Sequence, residues 1–390
     1  MNQIYYRVND YLPENKKNTS ASESARHRAN RVMSYFPNNT KIHIHSVIKD
    51  NSVFLLRRKT YEISKNKHCT VYFTSNNLVG LILKNIASFI ISIHLFFLSL
   101  KNKNRIIFYN ILPTSCLIYT ILSFISPTVR KRTCFEIEEL YSVCSFSRFK
   151  TILFKASELI VFKKFNHFIV VNENIKNRIN ILNNKSHVVL DFGYNSRTEE
   201  LNIENKSEKI DRKEKSIVYT GRLDYLGGIN ILLNAINLLP SIERKTIKIT
   251  GNGVLKNDVI TFCEKSKIKF LGFLSNSDYN DLLKEARIAI NPIRTTEEFS
   301  NYSFPSKVLQ YLEYGCIVIS SNCLSPYFLS FFKEYIVTYK NDSEFELSEK
   351  IIQSKEINVN KNEIIEHYIF FMKQQKEIVT QFFLSINFIS

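Results

Sequence analysis

Short apolar runs and longer amphipathic stretches alternate along this chain, and the alternation starts over halfway. In the first half, residues 3–7, 41–48, 71–75, 105–110, 133–142, 167–172 and 187–193 have the β-branched and aromatic content of strands. Between several of them, residues 23–36, 78–100, 115–125 and 148–164 place apolar side chains at helical spacing. The second half repeats the pattern. It predicts strands over 216–221, 246–251, 267–272, 287–293 and 316–320, and helices over 229–239, within 274–286 and after Ser303. Strands alternating with helices predict the α/β class with doubly wound, mostly parallel sheets. Two such halves in 390 residues predict two domains, over 1–194 and 216–362. Residues 195–215, polar and nearly free of large apolar side chains, read as a linker. Residues 363–390 read as a terminal helical segment packing back on the N-terminal domain.

One stretch of the second half combines several signals. Residues 297–320 (EEFSNYSFPSKVLQYLEYGCIVIS) read as a polar loop, a short helix and a covered strand. Ser303 is expected to cap the helix, Pro305 to occupy its first turn, and Gly315 to end it in a left-handed conformation. Lys307, Gln310 and Tyr314 share one helical face. A helix N-terminus with Lys307 in its first turn suits an anion, because first-turn N–H groups and the helix dipole favour negative charge. Seven of the nine glycines lie between Gly221 and Gly315, so any glycine-lined phosphate site belongs to this half.

In the first half, Glu136, Glu138 and Glu139 stand at the end of a predicted strand. Ligands of open α/β sheets bind there, and paired carboxylates can do acid–base work. His43 and His45 share a strand face; packing in place is the preferred reading over metal binding, since no third ligand is near. Leu78–Leu100 is the most apolar stretch. Lys84, Asn85 and His94 interrupt it, so a buried helix is preferred over a membrane-dipping one. Arg148–Lys164 is amphipathic and basic, and fits either a core-covering helix or one lying on an anionic membrane.

Charge sharpens the picture. Residues 1–200 carry 29 Lys+Arg and 13 Asp+Glu, whereas residues 201–390 carry 24 and 23. The excess of positive charge therefore belongs to the first half and predicts an anionic partner. Nucleic acid is not expected, because no nucleic-acid motif accompanies the charge. No GxGxxG opens a βα unit, which argues against a nicotinamide-dependent dehydrogenase. Seven scattered cysteines without CxxC spacing read as reduced core thiols. The first residues lack the basic-then-apolar order of an export signal, so a cytoplasmic location is expected.

Four segments in order carry a resemblance: YTGRLDYLGGINILLNAI, ITGNG, KFLGFLSNSDYNDLLKEARIAINPI and SFPSKVLQYLEYGCIVIS. Over residues 216–321 the chain resembles the donor domain of GT-B glycosyltransferases of the retaining family 4 (group 1) type. It looks most like those that build bacterial surface polysaccharides. FEIEELYS and HFIVVNENIKNRI extend the likeness more loosely into the first half. The resemblance implies two facing Rossmann-like domains, the C-terminal one binding a UDP- or GDP-sugar and the N-terminal one the acceptor. It implies no metal and no cofactor beyond the donor substrate.

Residue by residue, the resemblance implies donor binding by Gly221, Gly251, Asn252, Gly253, Phe273, Tyr302, Ser303, Phe304, Ser306, Lys307 and Gln310. Catalytic roles fall to Arg222 and Lys307 on the diphosphate; Glu138 and Glu139 are the candidate acid–base pair. Three features depart from the family. Leu226-Gly227-Gly228 replaces its Lys, Tyr302 and Gln310 replace its two glutamates, and Ser20–Ser24 replaces its N-terminal glycine pair. The reading is a retaining glycosyltransferase acting on a growing, lipid-linked glycan of O-antigen, capsule or exopolysaccharide synthesis. It would work at the anionic inner face of the plasma membrane. The alternative is a non-catalytic GT-B-like subunit partnering an active transferase.

Overall fold

The computed structural model describes residues 2–13, 19, 21–144, 147–192, 216–296, 298–340 and 342–389. The chain divides into two compact units, Met1–Asn195 with Gln375–Ser390, and Ser196–Gln374. The linker expected at 195–215 lies outside the described residues.

The first unit is built on eight strands: β1 (Gln3–Arg7), β2 (Lys41–Lys49), β3 (Leu56–Ser64), β4 (Lys67–Thr74), β5 (Asn104–Tyr109), β6 (Thr133–Ile137), β7 (His167–Val170) and β8 (His187–Leu190). They form one sheet in the order β3-β4-β2-β1-β5-β6-β7-β8. All pairings are parallel except β3 with β4. Periodicity does not announce β3: its Arg57, Arg58 and Lys59 are exposed, as suits an edge strand guarded by charge. Its helices are α1 (Glu23–Ser34), α2 (Leu78–Ser99), α3 (Pro113–Ser123), α4 (Pro127–Lys131), α5 (Arg148–Lys164) and α6 (Glu173–Leu182). Ser22, Asn77 and Asn172 cap α1, α2 and α6 through their side chains. α1 shares a core with β1, β2 and the chain's end, through Ala29, Val32, Ile42, Ile44, Val379 and Phe383. α2 packs on β2, β4 and β5, and α3 lies between α2 and α5. His43 and His45 stack on Tyr5, with ring centres 5.0 and 6.3 Å apart, and burial lowers the His45 pKa to about 3. Among the described residues no group of three His, Cys, Asp or Glu could hold a metal ion.

The second unit has β9 (Ile217–Arg222), β10 (Ile247–Asn252), β11 (Lys269–Phe270), β12 (Ile288–Asn291), β13 (Ile317–Ser321) and β14 (Ile336–Tyr339). They form an all-parallel sheet in the order β11-β10-β9-β12-β13-β14. Strand succession reverses between β9 and β12, the doubly wound order whose switch point opens a ligand crevice at the carboxyl ends. Around the sheet lie α7 (Ile229–Leu238), α8 (Ser241–Arg244), α9 (Lys256–Ser266), α10 (Asn276–Glu285), α11 (Ser306–Glu313), α12 (Pro326–Phe331) and α13 (Glu344–Ser354).

The last helix, α14 (Lys361–Ser385), contains no Pro or Gly and belongs to both units. Its first half packs in the second unit, with Phe371 against Phe331 and Phe332. Its last turns pack in the first, through Val379 and Phe383. The handover lies at Gln374, some twelve residues beyond the boundary the pattern suggests, because an unbroken helix hides where its partner changes.

Candidate active site

The carboxyl ends of β9 and β10 lie in register, Gly221 beside Gly251 and Arg222 beside Asn252. A Cβ on Gly251 would stand 1.9 Å from the Gly221 carbonyl oxygen, and its φ is +154°, so only glycine fits this approach. Leu223 N–H donates to the Asn252 carbonyl at 3.0 Å, and a Cβ on Gly253 would stand 2.4 Å from the Leu223 carbonyl oxygen. The two strand ends thus form one tight double turn. Arg222 leaves it with an exposed side chain and pairs with Asp224 at 2.5 Å. Asp224 also accepts from Gly227 N–H at 2.7 Å, which ties the loop that holds the guanidinium. Leu226-Gly227-Gly228, standing where a Lys is expected, closes on the end of β12: Arg294 N–H donates to the Leu226 carbonyl at 3.2 Å. Phe273 is 82% exposed on the turn after β11, and that turn is fastened to β10 by Thr250 Oγ1 donating to the Gly272 carbonyl at 2.6 Å.

α11 begins two residues later than the pattern suggests. Pro305 is its N-cap and no side chain caps it. Ser303 donates instead to the Phe299 carbonyl at 3.1 Å, within the 3-10 turn Glu298–Tyr302 that precedes it. Expecting Ser303 as cap and Pro305 in the first turn is therefore corrected: proline supplies no side-chain acceptor, and Ser303 lies too far upstream. The other end is as expected. Gly315 (φ +67°) donates to the Leu312 carbonyl and Cys316 to the Tyr311 carbonyl, both at 2.9 Å, a Schellman closure. Tyr314 is buried at this closure and does not share the open face of Lys307 and Gln310. Phe304 packs its ring edge-on against Phe328 with centres 5.0 Å apart, anchoring the loop to the core. Ser306 is exposed at the first helical position, and Tyr302 and Ser303 are half-buried before it.

Lys307 and Gln310 meet a residue that spacing does not single out. Lys307 Nζ donates to Tyr279 Oη at 2.9 Å and lies 4.4 Å from the ring centre. Tyr279 Oη donates to Gln310 Oε1, also at 2.9 Å. Thr220 Oγ1 is 3.2 Å from Tyr279 Oη and 3.0 Å from Tyr311 Oη, and Tyr311 Oη lies 3.0 Å from the Thr220 carbonyl oxygen. Burial raises the Tyr311 hydroxyl to about 12. A relay from α10, α11 and β9 therefore positions the Lys307 ammonium, and Thr220 directly precedes Gly221. Tyr279 was legible only as an inward residue of α10, one turn before Leu282 and Leu283; its partners lie 28 and 31 positions on.

In the first unit, Glu138 and Glu139 follow β6 at its carboxyl end, both half-buried. Glu138 N–H donates to Asn110 Oδ1 at 2.8 Å, and its carboxylate accepts from Tyr109. Glu139 is hydrogen-bonded to the Tyr141 hydroxyl. Beneath them runs a buried ionic cluster. Arg28 pairs with Glu136 and stands 3.5 Å from Glu138 and 3.6 Å from Asp191. Arg31 Nε donates to both Asp191 oxygens, at 3.0 and 3.2 Å, and Tyr6 donates to Glu136 at 2.6 Å. Burial would raise the Asp191 carboxyl, but Arg31 and Arg28 hold it down at about 2. Burial raises the Glu136 carboxyl to about 7, against the opposing pull of Arg28. Two guanidiniums face three carboxylates here, an imbalance in the same direction as the raised Glu136 carboxyl. The sequence signal was present: Arg28 lies on the same face as Ala25, Ala29 and Val32.

Residues 214–354 match the family described as Glycosyl transferases group 1. No curated protein matches the chain in sequence. Among solved structures the chain is similar to a sucrose-phosphate synthase from Thermosynechococcus elongatus, at 10% identity over 99% of both chains with a TM-score of 0.67. It is also similar to the apo form of the lipopolysaccharide outer core galactosyltransferase WaaB, at 14% identity over 99% of both chains with a TM-score of 0.59. Anabaena HepE in complex with UDP matches at 11% identity over 97% of both chains, also with a TM-score of 0.59. At these identities it is the fold that is shared, and it is shared over nearly the whole chain. The chain thus shares its two-unit α/β fold with GT-B glycosyltransferase structures, and residues 214–354 of its second unit match the Glycosyl transferases group 1 family.

Proposed function

We propose that the protein is a retaining glycosyltransferase that moves a sugar from a UDP- or GDP-sugar to a growing, lipid-linked glycan of a bacterial surface polysaccharide. It would act without a metal ion, on the cytoplasmic side of the plasma membrane. The observation that carries this reading is the Lys307–Tyr279–Gln310 relay at the carboxyl ends of the second sheet, next to Gly221 and Arg222. In transfer the sugar–diphosphate bond breaks and negative charge builds on the leaving diphosphate. Lys307, Arg222 and the first-turn N–H groups at Ser306 meet that charge with donors fixed in advance. Gln310 offers its amide to the ribose hydroxyls. Gly251, Asn252 and Gly253 let the donor approach the backbone, and Phe273 offers an exposed ring to the base. Glu138 and Glu139 take the acceptor's hydroxyls. UDP in HepE and the lipopolysaccharide role in the name of WaaB support the donor and acceptor classes.

The test is incubation of the purified chain with nucleotide sugars and lipid-linked acceptors, paired with mass spectrometry of the lipid-linked glycan after gene deletion. A glycan shortened by one residue is expected. Failure to hydrolyse or transfer any nucleotide sugar overturns the reading. Tyr302 and Gln310, in place of two carboxylates, favour the second reading of a non-catalytic subunit; Arg222→Ala and Lys307→Ala would then leave glycan synthesis unchanged.

Two outcomes follow for the enzyme. Tyr279→Phe keeps the ring over Lys307 but removes the hydroxyl. A hydrogen bond to a charged group is worth about 1.5–3 kcal/mol, so kcat falls about tenfold or more while donor KM changes little. Steady-state kinetics separate the two constants. A chelator leaves the rate unchanged, and a rate restored only by added divalent ion would contradict the metal-free reading.

A further inference from the structure

Helix α2 is not the buried helix preferred from the sequence. Its inner side is mostly small: Ala87, Ser88, Ser92 and Ser99 are buried, with Ile91 and Leu95, against the sheet and α3. Its outer side carries Leu78, Ile82, Ile86, Phe89, Ile90 and Phe97, each 46–74% exposed. Their spacing puts them on one stripe along 22 residues, about 33 Å of helix. The helix is apolar and long enough to cross a membrane, yet one side of it is committed to the sheet, so it can lie on a bilayer but not span one.

The surroundings extend the stripe and give it a charged rim. Phe54 is 86% exposed, and the neighbouring Leu55 carbonyl accepts from Ser75 N–H just before α2. Ile125 is 78% exposed just past the end of α3. Cations stand at the margins: Lys164 Nζ is 5.4 Å from the Phe124 ring centre, and Arg132 donates to the Ser99 and Leu100 carbonyls at the end of α2. Arg58 and Lys101 both act on His94. Residues 51–164 carry 17 Lys+Arg against five Asp+Glu, and two of those acids, Glu136 and Glu158, are buried.

We infer that the outer face of α2, continued by Phe54 and Ile125, inserts in the plane of an anionic phospholipid bilayer, with the surrounding lysines and arginines on the headgroup phosphates. The stripe is Leu, Ile and Phe, without the Tyr and Arg that mark the centre of protein interfaces, and its rim is basic. Apolar burial and charge attraction add at such a surface, each exposed cation contributing and salt weakening the sum. This assignment does not rest on the transfer reaction, because it is read without donor or acceptor.

The chain contains no tryptophan, so Phe89→Trp gives a sole indole reporter on the stripe. With vesicles of phosphatidylcholine and phosphatidylglycerol, its emission shifts to the blue and is quenched by lipids brominated on the acyl chain. With phosphatidylcholine alone the shift is much smaller. Phe345→Trp, 65% exposed on α13 of the other unit, shows no such shift. The triple variant Ile82→Asn/Phe89→Asn/Phe97→Asn lowers vesicle partitioning about a hundredfold; its circular dichroism melt establishes that it is folded, and the Phe89→Trp reading stands without it. Unshifted emission on anionic vesicles overturns the inference. So does a shift that appears without lipid as protein concentration rises, which would make the face an interface between copies, and so does binding that brominated lipid does not quench.

Discussion

Lys307→Met lowers kcat by about 10²–10³-fold, the loss of about 2.7–4 kcal/mol typical when one fixed donor to a developing oxyanion is removed. The effect falls on kcat more than on donor KM, because the charge it meets grows as the sugar leaves. Stability changes little, since a lysine at a helix start contributes few tenths of a kcal/mol. Lys307→Arg does not restore the rate. The contact to Tyr279 Oη at 2.9 Å is a single-donor geometry, and a planar guanidinium does not reproduce it. Arg222→Met costs less, because the exposed Arg222 side chain is shared with Asp224 and is less tightly placed than the Lys307 ammonium. If Lys307→Met instead left transfer intact, the relay would be structural and the subunit reading would gain.

Asp191→Asn destabilises the first unit by about 3–5 kcal/mol, because it leaves Arg31 and Arg28 buried without their shared carboxylate. For a unit of this size the melting temperature falls on the order of 10 °C. Thermal denaturation followed by circular dichroism checks it, and a fall of under about 2 °C would contradict the ion-pair account. Acid acts in the same direction. With its folded pKa at about 2, Asp191 contributes stability above its unfolded pKa that is lost as pH falls toward 2. Glu136 acts oppositely. Its folded pKa is raised to about 7, so the stability it contributes is complete below its unfolded pKa and is lost as pH rises through 7. The protein therefore melts lower at pH 8 than at pH 6, and Glu136→Gln removes most of that difference.

Gly221 and Arg222 are readable as a strand end and its turn, and Lys307 and Gln310 as one face of a short helix, because strand, turn and helix signals are local. Gly315 ends α11 as its sequence says, for the same reason. Tyr279 was not readable, because its role depends on α10 and α11 lying side by side. Ser303 does not cap α11 as the local pattern suggests, because its hydroxyl is used by the 3-10 turn before Pro305. Periodicity does not reveal the edge strand β3, because its charged outer residues hide the alternation.

The sequence by itself determined the doubly wound α/β pattern, the two-part division, the basic first half and most of the strands and helices. Each of these depends on periodicity or composition within a few residues. The tertiary structure decided which distant side chains meet. It joined Arg31 to Asp191 across 160 positions, placed Tyr279 beneath Lys307, and handed α14 from one unit to the other at Gln374. It also decided which side of α2 is covered. Hydropathy measures how apolar a helix is all round, whereas burial depends on which neighbours the fold brings to each face.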